Sequence, residues 1–213
     1  MYHIAHRGHS YMHKDNTLES FISALNSNFH MIELDIQLTK DNRIIIFHDT
    51  FINDKLICSL YYNEIIEYDK DILTIEQFFI NINHEKIGVY LDIKGSSFIC
   101  IYLHNFLKTL NNVDKILIGS FNFVILEDLY KLDYRYNLGL ITENVFNNEC
   151  LQYYIDTLNI AFVCYHWSVL TNKSITHLHN NDILVFTYTC KNKDIEKLMR
   201  EYDIDGIVSN YKL

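Results

Sequence analysis

Eight short apolar runs, each followed by a segment of helical length, recur along this chain from one end to the other. Apolar runs bounded by polar turns place strands near 2–6, 31–37, 88–93, 115–119, 137–141, 160–165, 183–188 and 205–208. The intervals carry helical spacing. In NTLESFISALNSN, Leu18, Phe21, Ile22 and Leu25 fall on one face, and in NKDIEKLMREY, Ile195, Leu198, Met199 and Tyr202 do the same. Thr17 or Asn16 stands where the first of these helices needs a cap. Eight alternations of strand and helix predict an α/β fold, a compact (β/α)8 TIM barrel whose loops after the strands form the active face. The run RIIIFHD follows the turn signal TKDN, which predicts a short extra hairpin strand folding back on the end of barrel strand 2. No linker, repeat or low-complexity segment divides residues 1–213, so one barrel domain is expected.

Charge narrows the function classes. The net charge is -9 with no cluster of Lys and Arg, which argues against a nucleic-acid surface, because phosphate neutralisation needs a basic stripe. An anionic substrate must therefore be attracted locally. No apolar stretch reaches transmembrane length and no leader pattern opens the chain, so a cytoplasmic protein is expected. The five cysteines, at 58, 100, 150, 164 and 190, are odd in number and lack C-x-x-C spacing, which predicts reduced thiols. Cys164 and Cys190 sit in apolar runs and read as core.

The strand MIELDIQLT carries the chemistry. Side chains alternate along it, so Glu33, Asp35 and Gln37 share one face and Ile32, Leu34 and Ile36 the other. Strand rise separates the two carboxylates by about 6.6 Å, within reach of one hard cation. YLDIKG repeats the pattern with Asp92 and Lys94 opposite Leu91 and Ile93. A polar face inside a barrel is costly unless something charged is bound to it. The same residues also suit an internal ion pair or a solvated edge strand. His6 and His48 each end an apolar strand, at the edge where a barrel places its chemistry. His84, His104, His177 and His179 read as surface or helix residues, and His9 and His13 as neighbours of the mouth.

AHRG at 5–8, DNTLESF at 15–21, ELD with TKDN at 33–42 and FHD at 47–49 together resemble the glycerophosphodiester phosphodiesterase family. Members of this branch of the phospholipase C-like phosphodiesterase superfamily carry H-R-G, E-N-T, E-x-D and H-D in this order. DILTIEQFF, YLDIKG, IGSFN and IDGIVSNY extend the resemblance over essentially the whole chain. It implies one divalent cation, Mg²⁺ or Ca²⁺, held by Glu33, Asp35 and Asp92, with His6 and His48 as the acid and base pair. Arg7 and Lys94 would bind the phosphate oxygens. The implied reaction belongs to glycerol and lipid metabolism: a glycerol hydroxyl attacks phosphorus, and water opens the cyclic phosphate to leave glycerol 3-phosphate and an alcohol.

The pattern is broken in four places. Asp15 and Asp92 stand where the family carries Glu, each one methylene shorter, Tyr188 replaces a Trp, and Asn210 replaces an Asp. Asp92 followed by Ile-Lys also resembles the spider-venom sphingomyelinase D branch, whereas His6-Arg7-Gly8 and Asn16-Thr17 favour the glycerophosphodiesterase branch. Asp15 and Tyr188 remain accessory candidates, as does Trp167 at the end of the sixth strand. The substrate would be a small glycerophosphodiester or, by transient membrane contact, a lysophospholipid. The segment TFINDKLICSLYY motivates the lipid version, with Phe51, Ile52, Leu56, Ile57, Leu60, Tyr61 and Tyr62 forming either an apolar lip or a connection packed on the barrel side. A barrel that binds a phosphorylated ligand without turnover is the remaining alternative.

Overall fold

The computed structural model describes residues 1–212. Its ring begins with β1 (Tyr2–Ala5) and β2 (Met31–Leu38), and three short strands follow outside it: β3 (Ile44–Ile46), β4 (Phe51–Ile52) and β5 (Lys55–Leu56). The ring continues through β6 (Gly88–Ile93), β7 (Ile116–Ser120), β8 (Asn137–Thr142), β9 (Phe162–His166), β10 (Leu184–Cys190) and β11 (Gly206–Ser209). Each ring strand pairs in parallel with the next, and β11 returns to β1, closing an eight-stranded barrel. The expected (β/α)8 architecture is therefore present. Helix α1 (Leu18–Asn26) links β1 to β2, and α2 (Tyr62–Tyr68) and α3 (Ile75–Asn81) precede β6. The later crossovers are α4 (Ile99–Leu107), α5 (Phe123–Leu132), α6 (Asn148–Leu158), α7 (Asn172–His179) and α8 (Lys193–Met199).

The extra hairpin strand is β3, antiparallel to the end of β2 through Ile36–Ile46, Gln37–Ile45 and Leu38–Ile44. It has an edge to occupy because β1 stops early. β1 meets β2 only at Met31 and Ile32, after which Gly8 N–H donates to Glu33 O and Phe47 N–H to Asp35 O. The Ile36 carbonyl, facing the other edge, accepts from Lys94 in the continuation of β6.

Two cores result from strand alternation. Ile32, Leu34 and Ile36 point outward and pack with Phe21, Ala24 and Phe78 of the helical layer. Ile4, Met31, Tyr90, Phe162, Phe186 and Val208 point inward and plug the barrel. The aromatic plug fits because glycines face it. A methyl group on Gly139 would fall within the Phe162 ring, and one on Gly119 would meet Tyr90. Above the plug the interior becomes polar.

Thr17 caps α1, accepting from Ser20 N–H while the Ser20 hydroxyl reaches back to the Thr17 backbone. The buried face of α1 differs from the expected one: Ile22 is 42% exposed, whereas Ser20, Phe21 and Ala24 are buried. Ser20 can sit inside because its hydroxyl donates to Thr17 O and Arg7 O. In α8 the same rotation leaves Leu198 41% exposed and buries Met199. All five cysteines are free, with Cys100, Cys164 and Cys190 buried. Among the described residues no helix is long and apolar enough to cross a membrane.

Gly139→Ala should overpack the barrel interior and cost about 1–3 kcal/mol. Urea unfolding should show a lower midpoint with the slope retained. A midpoint equal to wild type would mean that the Phe162 ring has room to move.

Candidate active site

The loop after β1 begins the site. Arg7 takes a left-handed backbone conformation, φ 56°, which turns its N–H toward Glu33 Oε2 at 2.7 Å. Gly8, also left-handed, lies against Ser20 at the start of α1, where a Cβ would collide with the Ser20 side chain and backbone. The Arg7 guanidinium then pairs with Asp15 Oδ2 and Asp35 Oδ2, both at 3.1 Å. Asn16, another left-handed residue, donates its amide to Asp35 Oδ2 at 2.9 Å.

Strands β2 and β6 bring the carboxylates together. Asp35 and Asp92 are register partners, and ligand atoms of Glu33, Asp35 and Asp92 all lie within 4.8 Å of one another, buried. Lys94 lies between two of them, 2.6 Å from Asp92 Oδ2 and 3.2 Å from Asp35 Oδ1. Burial, followed by repulsion from Asp35 and Asp92, drives the Glu33 carboxyl well above its ordinary range. Burial also raises Asp92, to about 6, against the pull of Lys94. For Asp35 burial is outweighed by Lys94, Arg7 and the Asn16 amide, which together hold it below the usual range. Asp92 Oδ1 is buried without a hydrogen-bond partner among the described residues. An orphaned carboxylate oxygen beside two further carboxylates suits a hard divalent cation.

Two histidines approach from opposite sides of the chain's first fifty residues. His6 is held by Asn210, Nδ1 to Oδ1 at 2.7 Å, and burial followed by the Arg7 charge lowers its pKa to about 4. His48 extends from β3, where the Gln37 amide donates to Phe47 O at 2.7 Å and Asp49 O at 2.9 Å, fixing the backbone on both sides of it. Its Nδ1 is 2.7 Å from Asp49 Oδ1.

These side chains line one cavity of about 490 Å³. It includes His6, Arg7, Glu33, Asp35, His48, Asp92 and Lys94, together with Trp167 and Tyr188. Asp15 instead lines a smaller adjoining cavity of about 180 Å³ with His48 and Asp49. His9 and His13 do not line the main cavity: His9 bonds Ser23 and packs on Phe29, and His13 lies 3.8 Å from Glu19. The TFINDKLICSLYY segment is chiefly a packed connection. Ile57 and Leu60 are buried with Ile45, Ile65 and Ile72, and Phe51, Leu56 and Tyr61 stay exposed outside the cavity.

Glu143, His166 and Phe121 also line the cavity and escaped sequence reasoning. The signal was present, since Glu143 continues the inward alternation of Gly139 and Ile141, and His166 directly ends an apolar strand, as His6 does.

The glycerophosphoryl diester phosphodiesterase family model matches residues 6–212. The Bacillus subtilis (strain 168) protein YhdW is 27% identical over 99% of this chain and 95% of its own. A glycerophosphodiester phosphodiesterase of Caldanaerobacter subterraneus subsp. tengcongensis is 25% identical over 97% of this chain and 93% of its own. An Oleispira antarctica phosphodiesterase, solved in complex with the product sn-glycerol-3-phosphate, shares the fold with a TM-score of 0.89 at 22% identity, covering 99% of this chain and 93% of that one. A Thermotoga maritima glycerophosphodiester phosphodiesterase does so with a TM-score of 0.85 at 21% identity, covering 99% and 94%.

The carboxylate cluster makes a prediction separate from turnover. A carboxyl whose folded pKa is raised stabilises the fold only while protonated, so the cation-free protein should lose stability as pH climbs above the ordinary Glu range. Cation-free Glu33→Gln should therefore melt above cation-free wild type at pH 8. Adding Mg²⁺ or Ca²⁺ should raise the wild-type melting temperature, and the variant should bind the cation at least about tenfold more weakly. A variant that melts below wild type without cation and keeps its affinity would exclude this account.

Proposed function

The chain belongs to the glycerophosphoryl diester phosphodiesterase family of phosphoric diester hydrolases, and from that premise we propose that it cleaves glycerophosphodiesters to an alcohol and glycerol 3-phosphate by cation-assisted histidine catalysis. The observation that carries this reading is the convergence of His6, His48, Arg7, Lys94 and three buried carboxylates on one cavity. Residues 1–213 act as one barrel domain in the cytoplasm.

Glu33, Asp35 and Asp92 would hold one divalent cation, Mg²⁺ or Ca²⁺, which supplies positive charge where the phosphoryl group gains negative charge. Without it three carboxylates face only Arg7 and Lys94. A divalent cation and a singly charged phosphodiester together would bring the cluster to neutrality. Arg7 and Lys94 bind the non-bridging oxygens and stabilise the crowded phosphorus.

The histidines divide the proton work. With Asn210 Oδ1 accepting from Nδ1–H, His6 keeps a lone pair on Nε2 and takes the proton of the attacking glycerol hydroxyl. His48, its Nδ1–H directed to Asp49, carries a proton on Nε2 to the leaving alkoxide. It then accepts a proton from the water that opens the cyclic phosphate, and His6 returns its own to the departing glycerol oxygen, restoring the hydroxyl.

A second reading, cleavage of single-chain phospholipids in the manner of a lysophospholipase D or sphingomyelinase D, draws support from the rim. Tyr11, Met12, Phe98 and Val145 are exposed in loops following β1, β6 and β8, and Phe51 is exposed in β4 after β3, at the end of the barrel where the site opens. Such a rim suits transient contact with lipid.

With Mg²⁺ or Ca²⁺ present, the wild-type protein should release glycerol 3-phosphate from glycerophosphocholine and glycerophosphoethanolamine, and chelator should stop it. His6→Ala should lower kcat by about 10²–10⁴-fold with little change in KM. A loss below tenfold would remove His6 from the proton path. Faster turnover of lysophosphatidylcholine micelles than of any soluble diester would establish the lipid reading instead.

A further inference from the structure

One wall of the cavity is aromatic and runs from the phosphate-binding pair to an unpaired acid. Lys94 Nζ lies 5.2 Å above the Phe121 ring, and Phe121 meets Tyr188 edge to face at 5.9 Å and 90°. Tyr188 also packs edge to face on His166 at 5.5 Å, which in turn contacts the Trp167 ring at 5.5 Å. The wall ends at Glu143, whose Oε1 is 3.4 Å from the Tyr188 hydroxyl.

Glu143 differs from the other carboxylates of the cavity. Asp35 and Asp92 are paired with Arg7 or Lys94, and Glu33 accepts from the Arg7 backbone. Glu143 is exposed, lies outside the cation cluster and has no cation within 4.0 Å among the described residues, although Lys191 lines the same cavity. A free carboxylate at the end of an aromatic wall is suited to a positively charged group, which the ring faces attract and the carboxylate orients.

We propose that Phe121, Tyr188, Trp167 and Glu143 form the site for a cationic leaving alcohol, so that diesters with an ammonium or trimethylammonium head group are preferred over those with a neutral polyol. This deepens the phosphodiesterase reading and rests on it for the position of the scissile bond. Glu143 and the rings act by positioning the head group.

Trp167 is the only tryptophan in the chain, so the site carries its own probe. Choline chloride, titrated at constant ionic strength, should give a saturable change in Trp167 fluorescence that glycerol at the same concentrations does not. Glu143→Gln should weaken choline binding about tenfold. In steady state the wild-type kcat/KM for glycerophosphocholine should exceed that for glycerophosphoglycerol, and Glu143→Gln should reduce that ratio about tenfold, chiefly through KM. Partial misfolding lowers both substrates together and cancels in the ratio. Equal responses to choline and glycerol, or a Glu143→Gln variant with wild-type choline affinity and substrate ratio, would overturn the proposal. A preference for the neutral diester would overturn it too and assign that end of the cavity to Lys191. Choline binding without turnover of either diester would leave the cation site standing and remove the phosphodiesterase reading.

Discussion

Like charges on neighbouring strands are the constraint around which this barrel is organised. Asp35 and Asp92 face each other across the β2–β6 pairing, and Glu33 lies one inward step below Asp35. Such an arrangement opposes folding unless positive charge and hydrogen bonds reach it. Both arrive from the residues that immediately follow the strands. Lys94 continues the inward alternation of β6, and the left-handed turn at Arg7 directs a guanidinium and a backbone N–H onto the same cluster. The apolar plug of Ile4, Met31, Tyr90, Phe162, Phe186 and Val208 fills the barrel beneath, so the charged layer is confined to the end where the chain can compensate it.

The shortness of β1 has a second consequence. Because the chain leaves the β2 edge after Ala5, that edge is free for β3, and β3 carries His48 back over the cavity. Gln37, the third polar residue of the β2 inward series, then anchors the backbone on either side of His48. One strand thus sets the distance between the two histidines: its first half receives β1, which ends beside His6, and its second half receives β3.

Much of this was legible in the sequence because strand alternation is a strong local signal. All eight ring strands were readable to within two residues, and the inward sets of Glu33 with Asp35 and Asp92 with Lys94 followed from period alone. Helix faces were harder. Leu18, Phe21, Ile22 and Leu25 satisfy helical spacing as well as the true face does, and choosing between them required knowing that the Ser20 hydroxyl would find the Arg7 and Thr17 carbonyls. Partners distant in sequence were the least visible. Asn210 touches His6 across a separation of 204 residues, and only closure of the ring brings them together. Glu143 and His166 were missed for a different reason, since strand-end polar residues are common and each looks ordinary until the ring shows that they share an interior.

The departures from the family pattern are absorbed by these contacts. Asp15 is a methylene shorter than the Glu the pattern carries, yet it reaches Arg7 at 3.1 Å from a loop in which Arg7 and Asn16 are both left-handed. Asn210, where the pattern has Asp, offers His6 an uncharged acceptor. A carboxylate there would favour the protonated imidazole, whereas with the amide burial and Arg7 keep His6 neutral. Asp92 is the shortened member of the carboxylate cluster, and Lys94 at 2.6 Å takes up one of its oxygens while the other has no partner among the described residues. Tyr188 keeps the aromatic wall of the Trp it replaces and adds a hydroxyl that Glu143 accepts. Asp15, Tyr188 and Asn210 each contact a residue that lines the cavity, and Asp92 lines it directly, so all four departures alter charge and reach at the same place.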